Sequence, residues 1–309
     1  MNRAVIYEKF GGPEVLELRD LPEPHAGPGE VRVRIAAVGL NPMDPAFAAT
    51  PELAARFHIS LPSGFGYDFA GSVDEVGDGA GGFRVGDRVY GGVLERAAAD
   101  FVVMKTPIGT DGVLSHTPEG LSDELASTLY IAGATASAAL APLDLTSRDT
   151  VLVGGAAGGV GVFVVQLARL AGAAVIGTAS EGTFSFLREL GAEPVAYGAG
   201  LEDRVRASAP GGITAAIDLF GTETIETALA LGLAPDRITA IAAGPNPPGG
   251  VRAVQGGHAE PDAVPRIAAA VAARELTVPI AARFPIEQIR EAATLQADRH
   301  THGKIVVML

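Results

Sequence analysis

The chain of 309 residues contains 36 Asp and Glu against 23 Lys and Arg, has a formal net charge of −13, and lacks cysteine. So acidic a surface repels nucleic acid and anionic membranes, and the absence of cysteine excludes disulfides, thiolate nucleophiles and Cys-ligated zinc. A chain of this length is longer than most proteins with a single hydrophobic core, so we expect two domains. Because 48% of the residues are hydrophobic and only 19% are charged, the composition argues against disorder. A cytoplasmic enzyme fits these observations best.

The first part of the chain, residues 1–121, is predicted to be β-rich. Short segments rich in valine and isoleucine are separated by glycine and proline, which is typical of strands joined by tight turns. The predicted strands are Arg3–Glu8, Val15–Arg19, Val31–Val38, Ser72–Val76, Arg88–Tyr90 and Phe101–Met104. Near Leu121 the pattern changes to an apolar-periodic run that predicts helices as far as Leu140.

From Thr150 onward, predicted strands and helices alternate. The strands are Val151–Val153, Ala174–Gly177, Pro194–Ala196, Ala215–Leu219 and Ile238–Ala242, and the helices are Val160–Ala171, Thr183–Leu190, Leu201–Ser208 and Glu223–Leu231. This alternation predicts a doubly wound parallel sheet, which we assign to residues 122–258. Residues 259–309 add helices at Asp262–Arg274 and Ile286–Asp298 and a strand at Lys304–Met308.

The stretch Val151–Ser180, VLVGGAAGGVGVFVVQLARLAGAAVIGTAS, predicts a βαβ unit with a glycine-dense turn after its first strand. Within the turn, Ala156, Gly158 and Gly161 have the spacing G-x-G-x-x-G, with alanine in the first place. Small residues there permit a tight turn, close approach of the backbone to a pyrophosphate, and close packing of helix on strand. We interpret this turn as a dinucleotide-binding site at a helix N-terminus, with a merely structural glycine turn as the alternative.

The end of the second strand bears on which dinucleotide is preferred. An NAD site has a carboxylate roughly 20 residues after the glycines, where it holds the ribose 2′-hydroxyl. Strand register places that position near Ala179, which leaves room for the 2′-phosphate of NADPH, and Ser180 can donate a hydrogen bond to it. Glu181 would repel a phosphate if it pointed inward, or could itself accept a 2′-hydroxyl. The sequence therefore favours NADPH and leaves NADH possible.

The six histidines are scattered except for His300 and His302, which precede the last predicted strand. A metal site built on this pair would need two further ligands nearby, and the sequence shows none. A solvated loop is the favoured interpretation of the pair.

Segments along almost the whole chain resemble the zinc-independent quinone oxidoreductase branch of the medium-chain dehydrogenase/reductase superfamily. They are VGLNPMD (38–44), GYDFAGSVDEVGDG (66–79), FRVGDRVYG (83–91), ATA (134–136), GGAAGGVG (154–161), LRELGAEPV (187–195), ELTVPI (275–280) and HGKIVVML (302–309). The resemblance implies an α/β protein with a GroES-like β-rich domain, a Rossmann domain, and a C-terminal segment that completes the first domain. It also implies a cofactor between the domains and a homodimer formed through the Rossmann sheet edge, which would involve the strand near Ile238–Ala242 and its neighbouring loop. The zinc-dependent relatives carry Gly-His-Glu where this chain has Gly66-Tyr67-Asp68.

The resemblance also implies roles for particular residues. Asn41 would face nicotinamide and substrate, and Asp44 would fix the same loop or serve only as a structural turn residue. The residues expected to contact the cofactor are Thr135, Ala156, Gly158, Gly159, Val160, Gly161, Ser180, Tyr197 and Gly244. Among these, Tyr197 could equally be a plain aromatic at a strand end.

Two departures from the family pattern affect function. Relatives often have Arg or Lys after the residue matching Ser180, whereas this chain has Glu181; losing a charge-assisted bond worth about 1.5–3 kcal/mol weakens NADPH selectivity about ten-fold or more. The tyrosine that donates a proton in enoyl-reducing relatives is absent after Asp44, so the proton would come from water, a substrate enol, Tyr67 or His58.

We therefore expect hydride transfer from NADPH to a quinone or an α,β-unsaturated carbonyl compound. In such a reaction the protein supplies orientation and hydrogen-bond donors to the developing enolate, and Asn41 is a candidate donor. A non-redox role, as a nucleotide-binding regulator or as a cyclase or isomerase on the same scaffold, is the alternative.

Overall fold

The computed structural model describes residues 2–107 and 112–309. Its strands are β1 (Asn2–Ile6), β2 (Glu17–Leu21), β3 (Glu30–Leu40), β4 (Asp68–Val76), β5 (Arg88–Gly92), β6 (Phe101–Lys105), β7 (Val113–His116), β8 (Thr150–Gly154), β9 (Ala174–Ala179), β10 (Glu193–Ala196), β11 (Ala215–Asp218), β12 (Ile238–Ala240), β13 (Arg252–Ala253), β14 (Ile280–Pro285) and β15 (Lys304–Met308). Its α-helices are α1 (Met43–Ala49), α2 (Pro51–Arg56), α3 (Asp123–Ala126), α4 (Tyr130–Leu140), α5 (Gly161–Leu170), α6 (Phe184–Leu190), α7 (Leu201–Ser208), α8 (Glu223–Ala230), α9 (Ala263–Ala272) and α10 (Ile289–Ala297).

The chain divides into two compact units. Unit 1 consists of Met1–Ile131 together with Pro265–Leu309, and unit 2 is the continuous segment Ala132–Val264. The last residues of the chain thus belong to the same unit as the first ones. The domain limits proposed from the sequence, at 121/122 and 258/259, stay predictions.

Unit 1 is built on one large sheet with the strand order β14-β15-β3-β4-β5-β7, and β6 pairs with β3. The 11-residue strand β3 is its centre: it runs antiparallel to β15, β4 and β6. Valines, isoleucines and aromatic residues from these strands form a core in which Val31, Val38, Phe65 and Phe69 are fully buried. A separate antiparallel pair, β1 and β2, belongs to the same unit.

Unit 2 is a six-stranded parallel sheet with the order β10-β9-β8-β11-β12-β13. This is the strand order of the Rossmann fold, and it confirms the doubly wound sheet predicted from the alternation of strands and helices. The order reverses between β8 and β11, and ligands of such sheets bind outside the carboxyl ends of the strands at that reversal. The turn that follows β8 is therefore the place to examine for a nucleotide.

Most elements lie where the sequence predicts them, and α7 and β15 match to the residue. From the sequence, no helix or strand is predicted between residues 39 and 71, where the structure has α1 and α2. Strands β7, β13 and β14 were also missed. They are short or, in β14, alternate between partly buried and exposed residues, so little apolar pattern marks them.

The sheet edge was predicted to involve the strand near Ile238–Ala242 and its neighbouring loop, and the loop supplies the edge. The strand at Ile238–Ala240 pairs with β11 on one side and β13 on the other, so it lies inside the sheet. The two-residue strand β13, from the loop after it, occupies the edge.

Within the described residues, no helix has the length and apolar character needed to cross a membrane.

Candidate functional site

The glycine-rich turn, Gly154–Gly161, connects β8 to α5. Gly155 has a φ of +69°, a left-handed conformation that side chains rarely adopt, and it is the residue that makes the turn tight. The adjacent Ala156 is fully buried and occupies the first place of the spacing identified in the sequence. The task assigned to that first place therefore belongs to Gly155, one residue earlier, which explains why alanine is tolerated at 156.

Gly161 and Gly158 have different surroundings in the same turn. A Cβ atom added to Gly161 would overlap the carbonyl oxygens of Gly155 and Ala156, so only glycine lets α5 begin so close to the turn. A Cβ on Gly158 would meet only the Gly155 carbonyl oxygen, at 3.4 Å. The backbone at Gly158 is therefore open to an approaching group, and the N-terminus of α5 follows it. This arrangement fits a pyrophosphate.

The corner next to this turn is formed by the end of β9. Ala179 ends the strand and is 6% exposed, so no carboxylate stands at the position that binds a 2′-hydroxyl in NAD sites. The hydroxyl groups of Ser180 and Thr183 are 2.8 Å apart and hydrogen-bonded. Glu181 is exposed, and Tyr197, just after β10, is 55% exposed. The corner thus has hydroxyl groups and an aromatic ring at its surface, with one carboxylate near them.

Two further residues expected to contact a cofactor also lie in unit 2. Thr135, on α4, is 8% exposed, and a Cβ on Gly256 would lie 3.2 Å from its hydroxyl oxygen, so the loop carrying Gly256 passes close to it. Gly244 lies in the loop between β12 and β13 with a φ of +79° and open space beside it. A side chain at 244 would be strained by the backbone conformation rather than by contacts.

In unit 1, four buried side chains form what we call the polar cluster: Asn41, Asp44, Asp68 and Lys304. The Nζ atom of Lys304 donates to Asn41 Oδ1 at 2.6 Å and to the Leu40 carbonyl oxygen at 3.0 Å. The Nδ2 atom of Asn41 donates to Asp68 Oδ2 at 3.0 Å. Asp68 also accepts from the backbone N–H of Ile131, at 3.2 Å. None of the four side chains is more than 2% exposed.

Asp44 closes the turn that begins at Asn41. Its Oδ2 atom accepts from the backbone N–H of Asn41 at 2.7 Å, and its own N–H donates to the Asn41 carbonyl oxygen at 3.0 Å. Its Oδ1 atom is buried and has no hydrogen-bond partner among the residues that the structure describes. Burial raises the pKa of Asp44 well above its ordinary value, and the negative charges of Glu95 and Asp68 add to the effect. The protonated form of Asp44 is therefore favoured relative to an exposed aspartic acid.

The other two ionisable members of the cluster have opposite tendencies. Burial raises the pKa of Asp68 to about 6, although Lys304 and Asn41 favour its charged form. Burial lowers the pKa of Lys304, and the carboxyl groups of Asp68 and Asp44 oppose that shift. Above about pH 6 the cluster therefore holds an ionised Asp68, and the amino group of Lys304 donates to two oxygen atoms.

The structure brings Asn41 and Asp44 together as the sequence suggested, but both atoms of the Asn41 amide have protein partners. Tyr67 lies apart from their hydrogen bonds: its ring stacks on Tyr130 with centroids 6.0 Å apart and packs over Gly92. Burial raises the pKa of Tyr67, and the nearby Tyr130 and Asp68 contribute. Its hydroxyl group therefore keeps its proton at neutral pH and is a weak acid.

Sequence reasoning missed Lys304, Asp68 and Glu95. Glu95 has a left-handed φ of +56°, is 5% exposed, and accepts a hydrogen bond from the Tyr7 hydroxyl at 2.6 Å, while its Oε1 atom has no partner. Burial raises its pKa to about 7. The sequence did hold one indication for Lys304, which is the first residue of the otherwise apolar strand KIVVM. A lysine in such a strand is rarely buried unless it is paired, so a buried partner could have been expected.

Metal ligation was considered at the His300–His302 pair. Both histidines are exposed, and His300 Nδ1 hydrogen-bonds with the Asp298 carbonyl oxygen. Across residues 2–107 and 112–309, no three His, Cys, Asp or Glu side chains are grouped so that they could hold a metal ion.

Comparison with known proteins agrees with this architecture. A family model described as "Alcohol dehydrogenase GroES-like domain" matches residues 27–128, and one described as "Zinc-binding dehydrogenase" matches residues 159–249. The first lies in unit 1 and the second in unit 2.

Individual relatives agree as well. A quinone oxidoreductase of Pseudomonas aeruginosa is 37% identical over 182 residues, 58% of this chain and 53% of that protein. A 2-methylene-furan-3-one reductase of Solanum lycopersicum is 32% identical over 203 residues, 62% of this chain and 50% of that protein. The matched segments thus span about half the length of these curated relatives.

A solved structure of a mycobacterial protein complexed with NADPH covers all of this chain, with a TM-score of 0.82 and 25% identity. Because the match covers the whole chain, it includes both the β-rich unit and the unit with the parallel sheet. The chain therefore belongs to the medium-chain dehydrogenase/reductase family and is related to its quinone oxidoreductases.

Proposed function

We propose that this chain is a zinc-independent oxidoreductase that uses NADPH to reduce a quinone or an α,β-unsaturated carbonyl compound. The observation that carries the proposal is the glycine-rich turn. It lies where the strand order reverses, with a left-handed Gly155, an open backbone at Gly158 and a helix start that only Gly161 permits. These are the features that a dinucleotide pyrophosphate requires of a protein backbone.

Four residues of that turn would hold the pyrophosphate: Gly158, Gly159, Val160 and Gly161. When bound there, the cofactor supplies a hydride from C4 of its nicotinamide. Thr135 and Gly244 are proposed to line the nicotinamide end. The mycobacterial relative was solved as a complex with NADPH, which supports NADPH as the nucleotide.

The preference for NADPH over NADH is proposed from the corner at the end of β9. Ala179 carries no carboxylate that would repel a 2′-phosphate, and the hydrogen-bonded hydroxyl groups of Ser180 and Thr183 can turn a donor toward it. Tyr197 offers an exposed ring beside it. Glu181 works against this preference by charge, so we propose a modest preference that still admits NADH.

The acceptor class is proposed from the chemistry of the named relatives, a quinone oxidoreductase and a furanone reductase, whose substrates carry an electrophilic carbon conjugated to a carbonyl. We propose that Asn41, Asp44 and Tyr67 shape the acceptor site. Because Tyr67 retains its proton, water is the proposed source of the proton that the reduced acceptor takes up. We further propose a cytoplasmic homodimer in which the edge strand β13 takes part.

A titration of NADPH and of NADH into metal-free protein, followed by fluorescence, tests the nucleotide part of the proposal. Adding 9,10-phenanthrenequinone or an enone then tests the acceptor part, through the loss of NADPH absorbance. We expect tighter binding of NADPH and acceptor-dependent oxidation. Absence of binding would overturn the proposed nucleotide site. Tight binding without oxidation across a broad acceptor panel would instead favour a non-redox role for the same fold.

A further inference from the structure

The bonds within the polar cluster specify one orientation of the Asn41 amide. An ammonium group only donates and an ionised carboxylate only accepts, so Lys304 must face the amide oxygen and Asp68 the amide nitrogen. The observed distances, 2.6 Å from Lys304 Nζ to Oδ1 and 3.0 Å from Nδ2 to Asp68 Oδ2, agree with this arrangement. A flipped amide would place donor against donor and acceptor against acceptor.

The same bonds hold the backbone around Asn41. Lys304 binds the Leu40 carbonyl oxygen, and the Asn41 N–H binds Asp44 Oδ2. The turn from Leu40 to Asp44 is therefore tied to β15 on one side and to its own first helix on the other. Asp68 lies at the start of β4 and binds the Ile131 N–H as well, so three segments distant in sequence meet at one amide.

Stability alone is a poor explanation for this arrangement. Removing an ammonium and a carboxylate from water carries a desolvation penalty that their attraction often fails to exceed, and apolar replacements of such pairs are often neutral or stabilising. What the pair does supply is a single geometry for Asn41.

We propose that Lys304 and Asp68 are positioning residues that hold the Asn41 amide in one orientation and so fix the Leu40–Asp44 turn for reaction with the acceptor. The role of the turn in the reaction rests on the proposed function, whereas the way Lys304 and Asp68 hold the turn does not. Each partner alone still specifies the amide orientation, because Lys304 accepts nothing and Asp68 donates nothing. The two residues are therefore partly redundant, and their removal is non-additive.

A double-mutant cycle with Lys304→Met and Asp68→Asn tests this redundancy. An asparagine at 68 can donate or accept, so when Lys304 is also lost only the 3.4 Å bond from Asn41 Nδ2 to the Gly39 carbonyl oxygen still favours the observed amide orientation. We expect each single variant to lower kcat about 5-fold and the double variant to lower it about 100-fold or more, beyond the product of the two. NADPH affinity, which depends on the turn in unit 2, should stay unchanged in all three.

Three further variants separate positioning from other effects. Lys304→Arg keeps a donor-only group, so adding it to Asp68→Asn should give no loss beyond the single Asp68→Asn variant. Lys105→Met removes an exposed lysine from β6 of the same unit and should leave kcat unaltered. If the Met-containing double variant does not fold by circular dichroism, Lys304→Gln replaces Lys304→Met, since glutamine keeps the polar character without the charge.

Hydrogen exchange measured by mass spectrometry tests the holding of the turn without any turnover. Peptides covering residues 39–47 should exchange faster in the double variant than in the wild type, with unit 2 peptides unchanged. Additive kcat effects together with unaltered exchange of this segment would overturn the inference. Absence of acceptor reduction by the wild type would instead overturn the proposed function, and the exchange result would still decide whether the pair holds the turn.

Discussion

The glycine-rich turn of unit 2 and the polar cluster of unit 1 hold their shapes by opposite means. The turn uses missing side chains: a left-handed Gly155 and a helix start in which a Cβ at Gly161 would overlap two carbonyl oxygens. The cluster uses ionisable side chains in full burial, with an ammonium group against Asn41 and two carboxyl groups of raised pKa. The turn is a local object of eight residues, whereas the cluster joins positions 41, 68 and 304.

This difference determines how each region responds to change. In the turn, added volume is the damaging perturbation, because the backbone has no room to yield. In the cluster, altered charge or proton occupancy is the damaging perturbation, because buried ionisable groups depend on their partners. Volume changes should therefore act in unit 2 through nucleotide binding, and pH should act in unit 1 through stability.

The largest effect is expected from Gly161→Ala. The new methyl group overlaps the carbonyl oxygens of Gly155 and Ala156, so the turn must shift and NADPH affinity should fall about 100-fold or more, with overpacking costing about 1–3 kcal/mol of stability. Fluorescence titration measures the affinity. The control is Gly211→Ala in an exposed loop with open space around it, which should bind NADPH as the wild type does. Equal affinity of both variants would contradict the assignment of the turn.

Glu95→Gln should weaken the dependence of the protein's stability on pH. Because the pKa of Glu95 is raised to about 7 in the folded protein, its contribution to stability is full below about pH 4.5 and is lost as the pH rises through about 7. Glutamine resembles the protonated acid and removes this dependence, so the variant should gain on the order of 2–3 kcal/mol relative to wild type between pH 5 and pH 8.

Urea denaturation at several pH values measures this difference. The pKa of Asp68 is also raised, but not by Glu95, so its contribution cancels in the comparison. The charge of Glu95 helps to raise the pKa of Asp44, so the pH dependence due to Asp44 should weaken in the variant and change the difference in the same direction. Glu52→Gln, on an exposed position of α2, is the control and should follow the wild-type curve. Parallel curves for the Glu95 variant and wild type would show that Glu95 is not held as a buried acid.

A carboxylate at the end of β9 should invert the nucleotide preference. Ala179→Asp places a negative charge where a 2′-phosphate is proposed and an acceptor where a 2′-hydroxyl would bind, so the ratio of NADPH to NADH affinity should fall about 30-fold. Dissociation constants for both nucleotides give the ratio. Ala179→Asn has the same shape without the charge and should change the ratio far less. A ratio unaltered by aspartate would remove Ala179 from the nucleotide site.

The smallest effect is expected from reversing the charge at Glu181. Glu181→Lys replaces a repulsive charge by an attractive one near the proposed phosphate, and NADPH affinity should rise about ten-fold at low salt, and less in 0.5 M NaCl. Glu189→Lys, exposed on α6, makes the same change in net charge farther along the chain. An equal gain in NADPH affinity from Glu189→Lys would show that the net charge of unit 2, and not a contact at the end of β9, determines the effect.

The two regions also differ in how far the sequence predicted them. The Rossmann unit follows from local patterns, since each strand, helix and terminal glycine is marked within a few residues, and the spacing at 156, 158 and 161 lies within one turn. The partner relation between Lys304 and Asn41 spans 263 positions and depends on β15 pairing with β3, which no local pattern encodes. The helix after Asp44 was missed because Pro45 and Thr50 resemble loop residues, although proline in a first helical turn is well tolerated.

The position of β15 has a consequence for the order in which the chain can fold. This strand lies between β14 and β3, inside the large sheet, yet it is made after every residue of unit 2. Unit 2 is continuous in sequence and has all its strands available while β3 still lacks one neighbour. During synthesis, unit 2 can therefore complete its core first, and unit 1 must hold an unpaired edge until residues 304–308 emerge. The lysine that fixes the Asn41 amide arrives with that last strand.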